Sequence, residues 1–287
     1  MSEKRIKVKI VGNGELKKEK VNKLLSHPSV ESSDYIDVVV DSGITSIGEY
    51  AFQYCQKIRS VLLPEGLEIV DEGAFDGCKN LNEVKLPSSI KEIRTAAFSN
   101  CDGLLDINLP EGLIHIGDWA FNCCQSVRDL YIPENIKSIG VCAFENCSRV
   151  WLESYDNCLY IGSRNNPFFA LAKTENIYIV HANVHKNTKF ILPGAFSGRN
   201  YLKSVTIPEG VRYIGDGAFE ESNGITEIYI PKTVEYVGDW AFDNTNITIY
   251  CGAEKEPSEW GPEWNGDKWC DDDDYKERLV IWGSEPR

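Results

Sequence analysis

From residue 51 onward an apolar pair, alanine then phenylalanine, returns at a fixed interval. Ala51 and Phe52 are followed by Phe75, Phe98, Phe121 and Phe144, each 23 residues after the last. After one longer interval the pair resumes at Ala195 and Phe196, then at Phe219 and Phe242, again 23 apart. A second apolar column keeps the same phase at Ile47, Val70, Ile93, Ile116, Ile139, Ile214 and Val237, as does proline at Pro64, Pro87, Pro110, Pro133, Pro208 and Pro231. A period of this length marks a repeat fold, in which no single unit can bury its apolar face and stacked neighbours share one core.

Within one period, Leu81, Val84 and Leu86 end in the alternation of a short strand, and Pro87 stops the ladder because it has no N–H to give. The next apolar residues, Ile90, Ile93, Ala97 and Phe98, are spaced by three to four and predict a helical turn behind the strand. Gly117, Gly140, Gly215 and Gly238, each just after the Ile or Val column, predict a tight backbone turn. Phe144 and Phe196 are 52 residues apart, one period plus 29, so the segment 151–193 is expected to be an enlarged coil. Its alternating stretches 158–161 and 176–180 predict an inserted hairpin, with Asn165, Asn166 and Pro167 in a loop. Residues 6–11 read as a strand and 15–25 as a helix, together an amino-terminal cap. Trp260, Trp264, Trp269 and Trp282 suggest a folded carboxy-terminal cap. The expected organisation is a cap at 1–34, coils over 35–252 with the irregular one at 148–192, and a cap at 253–287, all one structural domain.

The combined pattern, L-x-x-V-x-L-P and then I-x-x-I-x-x-x-A-F-x-x-C, resembles the BspA-like class of leucine-rich repeat over about residues 35 to 252. The phenylalanine-to-cysteine endings Phe52 to Cys55, Phe75 to Cys78, Phe98 to Cys101, Phe121 to Cys124 and Phe144 to Cys147 carry it. The resemblance implies an α/β repeat solenoid, a curved right-handed coil with a parallel sheet on its concave side and short helices on its convex side. It also implies a non-enzymatic binding module, for protein, extracellular matrix or host surface, that is often exported or displayed on the cell.

Charge narrows the partners. Lys and Arg total 30 against 44 Asp and Glu, a net charge of −14, which argues against sequence-independent binding of nucleic acid or an anionic membrane. No run approaches 18 apolar residues, so no membrane insertion is expected, and the charged first nine residues do not read as a secretory leader. Five of the ten cysteines, Cys55, Cys78, Cys101, Cys124 and Cys147, share one template position. They read as small buried groups whose thiols hydrogen-bond nearby backbone. The alternative, disulfides between coils, would have to bridge strands about 4.8 Å apart with Cβ atoms that prefer about 3.8 Å. Without a C-x-x-C pair zinc is not expected. Free thiols suit a reducing compartment, and this leaves the location open between cell surface and cell interior.

Candidate chemistry follows from the outward strand positions. One column runs Asp37, Ser60, Glu83, Asp106 and Asp129; its neighbour runs Leu62, Lys85, Asn108 and Tyr131; beyond the irregular coil they become Ser204 and Glu227, and Thr206 and Tyr229. Carboxylates on adjacent strands repel by something like 1 kcal/mol per pair in water, and a cation relieves that. Lys85 offsets Glu83, leaving Asp106 and Asp129. One reading is an acidic groove with Tyr131 and Tyr229 as anchors for a basic peptide, a protein loop or a sugar. The other is a solvated sheet face kept soluble by its charges. A carbohydrate- or wall-binding module would place its contacts at Tyr131, Tyr229, Phe168 or Phe169. An intracellular scaffold and a hydrolase complete the alternatives, and no catalytic constellation, nucleophile elbow or phosphate loop supports the hydrolase. His181 and His185, four apart, read as strand and loop rather than a metal pair, no cofactor is implied, and Asp271 to Asp274 lacks the spacing of a calcium loop.

Overall fold

The computed structural model describes residues 4–265 and 278–286. They form two compact units, Met1–Trp151 and Leu152–Arg287.

Unit 1 is a stack of coils with three walls. On the first wall, strands Arg5–Ile10, Tyr35–Val40, Ile58–Leu62 and Glu83–Lys85 pair in parallel, and a bridge from Glu83 to Asp106 continues the row. The second wall is a six-stranded parallel sheet of Gly14–Leu16, Ile44–Ile47, Ile69–Val70, Glu92–Ile93, His115–Ile116 and Ser138–Ile139. Its inward column, Ile47, Val70, Ile93, Ile116 and Ile139, is buried. Two-residue strands suffice here because each belongs to a long ladder whose apolar side faces a shared core.

The third wall departs from the sequence expectation. The Ala-Phe segments are consecutive turns, and among the described residues the helices are Lys18–Leu25 and Pro28–Glu31, both in the first coil. The residues two before and two after each phenylalanine lie in the left-handed region: Tyr50 (φ 53°) and Tyr54 (58°), Gly73 (54°) and Gly77 (69°), Ala96 (53°) and Asn100 (56°), Trp119 (52°) and Cys123 (60°). An α-helix cannot contain such residues. Their N–H groups also go elsewhere: Tyr50, Phe52 and Tyr54 donate to the carbonyls of Glu72, Ala74 and Asp76 in the next coil, at 2.8, 2.7 and 2.8 Å. A left-handed non-glycine residue costs about 1–2 kcal/mol, offset here by these bonds and by the ring column they align. Phe52, Phe75, Phe98, Phe121 and Phe144 stack with centroids 4.9, 5.1, 5.4 and 5.6 Å apart and planes within 4°.

Gly117 and Gly140 answer a different need from the expected turn. Neither has a positive φ. A Cβ at Gly117 would lie 2.5 Å from the amide nitrogen of Thr95, and one at Gly140 would lie 2.4 Å from that of Asp118, so close approach of neighbouring coils demands glycine.

Unit 2 begins irregularly. Strands Glu153–Tyr155, Cys158–Ile161 and Ala170–Thr174 pair antiparallel, and Ala170–Thr174 then joins Phe190–Ile191, Tyr213–Ile214 and Tyr236–Val237 in parallel. The hairpin expected from 158–161 therefore exists, but its partner is 170–174 rather than 176–180. Asn176 Oδ1 accepts the Tyr178 N–H at 2.9 Å and Thr174 Oγ1 donates to the Asn176 carbonyl at 3.0 Å, an Asx turn that takes this stretch out of the ladder. His181–Asn183 pairs with Ser204–Thr206, and Glu227–Ile230 with Thr248–Cys251 and then Val280–Ile281. Phe196, Phe219 and Phe242 form this unit's stack, with centroids 5.0 and 5.3 Å apart. Trp264 closes it edge-on at 6.2 Å, with Trp260 and Trp282 packed around. Trp260 and Trp264 are buried, as terminal tryptophans closing a core should be. Trp269 lies outside the described residues.

Candidate functional site

The outward column of unit 1's first wall is assembled as its sequence spacing implies. Asp37 sits opposite Ser60, Ser60 opposite Glu83, and Glu83 bridges to Asp106; in the next column Leu62 sits opposite Lys85. The inward neighbours Val38, Val61, Val84, Ile107 and Leu130 are buried, so the strand's two-residue alternation turns the carboxylates outward. Glu83, Lys85, Asp106, Asn108, Asp129 and Tyr131 are exposed, Tyr131 by 49%.

Asp37 departs from the rest of its column. Arg5 grips it with two bonds of 2.6 Å, and Ser60 Oγ donates to it at 2.5 Å. The Arg5 bonds hold its carboxyl below the ordinary aspartate value, against the opposing effect of partial burial. Asp37 is thus already neutralised, and the column's uncompensated charge begins at Glu83. Lys85, two residues along, makes no ion pair with Glu83 within 4 Å, so the expected offset acts only at longer range.

In unit 2, Glu227 and Tyr229 share one strand, opposite Thr248 and Tyr250. Glu227 is exposed, whereas Tyr229 is half-buried, its hydroxyl 2.5 Å from where a Cβ on Gly252 would stand. Burial raises the Tyr229 phenol above its ordinary value. Phe168 and Phe169 do not offer themselves to a sugar. Phe169 is buried, and Phe168 is half-buried with its ring stacked on His185 at 3.9 Å, because the antiparallel insert folds these rings inward. His181 is engaged with Ser204 Oγ through Nδ1 at 2.9 Å, and His185 Nδ1 accepts the Asn187 N–H at 3.2 Å. The run Asp271 to Asp274 lies outside the described residues.

One feature of unit 1 escaped the sequence reading. Over the second wall lies a groove of about 400 Å³ lined in part by Glu49, Asp71, Glu92, Arg94, His115 and Ser138. Arg94 bonds Asp71 twice at 3.1 Å and Glu92 at 3.0 Å, and His115 Nδ1 meets Ser138 Oγ at 2.7 Å. The signal was available: Glu92, His115 and Ser138 are 23 residues apart and form the outward column of two-residue strands.

The cysteine column is built of free thiols. Cys78, Cys101, Cys124 and Cys147 donate through Sγ to the carbonyls of Phe52, Phe75, Phe98 and Phe121, at 3.0, 3.2, 3.2 and 3.1 Å. Each adds a second bond to a phenylalanine carbonyl of the preceding coil, which already accepts the N–H three residues on within its own turn, as Phe75 does from Cys78 at 3.1 Å. Burial pushes the Cys55 thiol up to about 11, Cys147 up to about 12, and Cys101 and Cys124 well above the ordinary value. These thiols pack and hydrogen-bond; they are not poised as nucleophiles.

A stack of 23-residue coils with a parallel first wall, a phenylalanine column and, in unit 1, a column of cysteine thiols bonded to it is a leucine-rich-repeat architecture. The BspA type leucine rich repeat region, in six copies, matches residues 30–151 and 164–248. The chain belongs to this family. BspA-type repeats build solenoids of stacked parallel strands, about nine turns among the described residues, and such repeat folds are typically binding modules without catalytic activity. No curated protein matches the chain. Among solved structures it is similar to a leucine-rich repeat protein of T. pallidum, at 24% identity over 72% of this chain and 87% of that one, with a TM-score of 0.45. A leucine-rich cell surface protein of Faecalibacterium prausnitzii is 21% identical over 87% of this chain and 82% of that one, with a TM-score of 0.42. The pneumococcal vaccine antigen PcpA is 18% identical over 90% and 68%, with a TM-score of 0.37. Among the described residues no helix is long and apolar enough to cross a membrane.

Proposed function

We propose that the chain is a non-enzymatic protein-binding module and that the outward face of unit 1's first wall docks a basic segment of its partner. The carrying observation is the row Glu83, Asp106, Asp129 beside Tyr131: three carboxylates on successive coils, all exposed, next to a half-exposed aromatic ring. Mutual repulsion is relieved when a cationic side chain enters between neighbours, and the ring supplies apolar area that costs little ordering entropy. Rigid coils present these groups without rearrangement, which favours binding over a flexible display. In unit 2, Glu227 with Tyr229 repeats the acid-aromatic pairing on a smaller scale.

A labelled peptide of alternating lysine and serine, titrated into the protein and followed by fluorescence anisotropy, tests the reading. Binding is expected to weaken about tenfold in the variant Asp106→Asn with Asp129→Asn, and to fall with added salt. Equal binding by that double variant and by Tyr131→Ala would remove this face from consideration.

A further inference from the structure

The opposite end of the charge distribution lies in the first coil. Residues 4 to 25 carry eight Lys and Arg against two Glu, a net +6, while the whole chain is −14, so everything else sums to −20. Within this basic stretch, strand Arg5–Ile10 forms the edge of the first wall, paired on one side with Tyr35–Val40. The direction of its other side follows from the pleat. Lys4 and Ile10 turn their carbonyls to the neighbouring strand, accepting from Tyr35 at 3.3 Å and Asp41 at 2.9 Å, so Ile6 and Val8 face that way too. The N–H and C=O groups of Lys7 and Lys9 therefore point to the open edge, and no backbone group among the described residues bonds them. The apolar side of the strand is also incompletely covered: Ile6 and Val8 are half-buried, whereas their neighbours Ile36 and Val38 are fully buried.

We infer that this edge takes up an acidic, extended polypeptide segment as an additional strand, with acidic residues set against Lys7 and Lys9 and apolar residues against Ile6 and Val8. The strand on the occupied side shows the pairing that the edge accepts. Asp37 is the register partner of Lys7 and the ion-pair partner of Arg5, and Asp41 pairs with Lys9 at 2.8 Å. An added strand with the same alternation would meet the remaining positive field, and Lys7 forms no hydrogen bond or ion pair of its own among the described residues. Main-chain bonds give such strand addition its affinity and alternate side chains give it selectivity. The lysines that repel a second copy of this edge are the ones that select an acidic visitor. The segment is thus a partner of opposite charge to the one the acidic face of unit 1 docks, and the two sites are independent.

The test uses the full chain and a fluorescein-labelled heptapeptide of alternating glutamate and valine, with a lysine-valine peptide as control. Saturable binding of the acidic peptide, at least tenfold tighter than of the control, is expected. Lys7→Pro removes only an N–H that points to the open edge, which an edge strand tolerates, so the fold should persist by circular dichroism while binding is lost. Lys7→Gln separates the charge from the N–H and should weaken binding about threefold. Lys7→Glu should reverse the preference between the two peptides. Unchanged binding by a folded Lys7→Pro protein, equal affinity for both peptides, or no binding at all would each overturn the inference. So would a stable dimer in sedimentation without peptide, since a second copy would then hold the edge.

Discussion

The two units solve the same packing problem with different chemistry at the same template positions. In unit 1 the residue three after each phenylalanine is cysteine, and its thiol caps a phenylalanine carbonyl of the preceding coil. In unit 2 that position holds Arg199, Ser222 and Thr245. Ser222 Oγ makes the equivalent bond to the Phe196 carbonyl, and Thr245 turns instead to its own Phe242. The inter-coil bond does not need sulfur, since the Ser222 hydroxyl makes it as well. Where the donor is Arg199, Nε binds Thr174 Oγ1 at 2.6 Å and burial lowers the guanidinium below its ordinary value. A second contrast lies on the outer column of the second wall. Unit 1 carries Glu92, His115 and Ser138 there, around a polar groove. Unit 2 carries Phe190, Tyr213 and Tyr236, with Phe190 tilted by 33° against Tyr213 at 5.2 Å and Tyr213 stacked on Tyr236 at 4.9 Å. One backbone template thus supports a polar, partly exposed ladder in one unit and an aromatic one in the other, where Phe190 and Tyr213 are buried.

The largest effect should come from what the units share. Phe98→Ala in unit 1 and Phe219→Ala in unit 2 each remove a ring stacked on both faces, and each should cost about 3–5 kcal/mol by urea denaturation. Very different losses would mean that the two stacks are not equivalent. Next, Ser222→Val removes the donor to the Phe196 carbonyl and should cost about 1–3 kcal/mol, whereas Cys101→Val keeps the volume and leaves the Phe75 carbonyl its bond from the Cys78 N–H, at about 1 kcal/mol.

Alkaline pH should then separate the units. A thiol that ionises near 9 when unfolded but higher when folded contributes stability that is complete below pH 9 and lost as pH rises through the folded value. Unit 1 has six such thiols: Cys55, Cys78, Cys101, Cys124, Cys142 and Cys147. Unit 2 has, among the described residues, Cys158 and Cys251. Hydrogen exchange between pH 8 and 10, corrected for intrinsic rates, should show protection falling faster in unit 1. The smallest effect belongs to Cys101→Ser, which writes unit 2's solution into unit 1. It should cost under about 1 kcal/mol and remove one thiol's share of the alkaline loss. A cost near that of Cys101→Val would show that the column distinguishes sulfur from oxygen after all.

Much of this was legible because repetition amplifies weak local signals. One Ala-Phe pair says nothing, but eight in two runs of period 23 locate the core column, and five cysteines in phase locate the donor column. The misreading of the third wall has a physical cause. Ile90, Ile93, Ala97 and Phe98 bury the same faces whether the backbone between them is helical or a run of turns, and only the left-handed residues at Ala96 and Asn100 distinguish the two. Gly73 and Gly77 held a hint of those conformations; Tyr50, Trp119 and Cys123 at equivalent positions concealed it. Strand Ala170–Thr174 was missed because small residues alternate with little contrast in hydrophobicity. The edge at Arg5–Ile10 was visible as a strand, but which of its sides lies open depends on the partner it pairs with.

The turns of the third wall also determine how the chain would respond to a pull. Tyr50, Phe52 and Tyr54 bond forward to the coil that follows, and Gly73, Phe75 and Gly77 do the same one coil on. Tension along the coil stack of unit 1 loads these bonds along their own axes, so its coils should detach from an end one after another rather than shear together. Each detachment would free 23 residues, roughly 80 Å of extended chain. The regular coils of unit 1, from Phe52 to Phe144, would then lengthen in even increments, a spring with a fixed step.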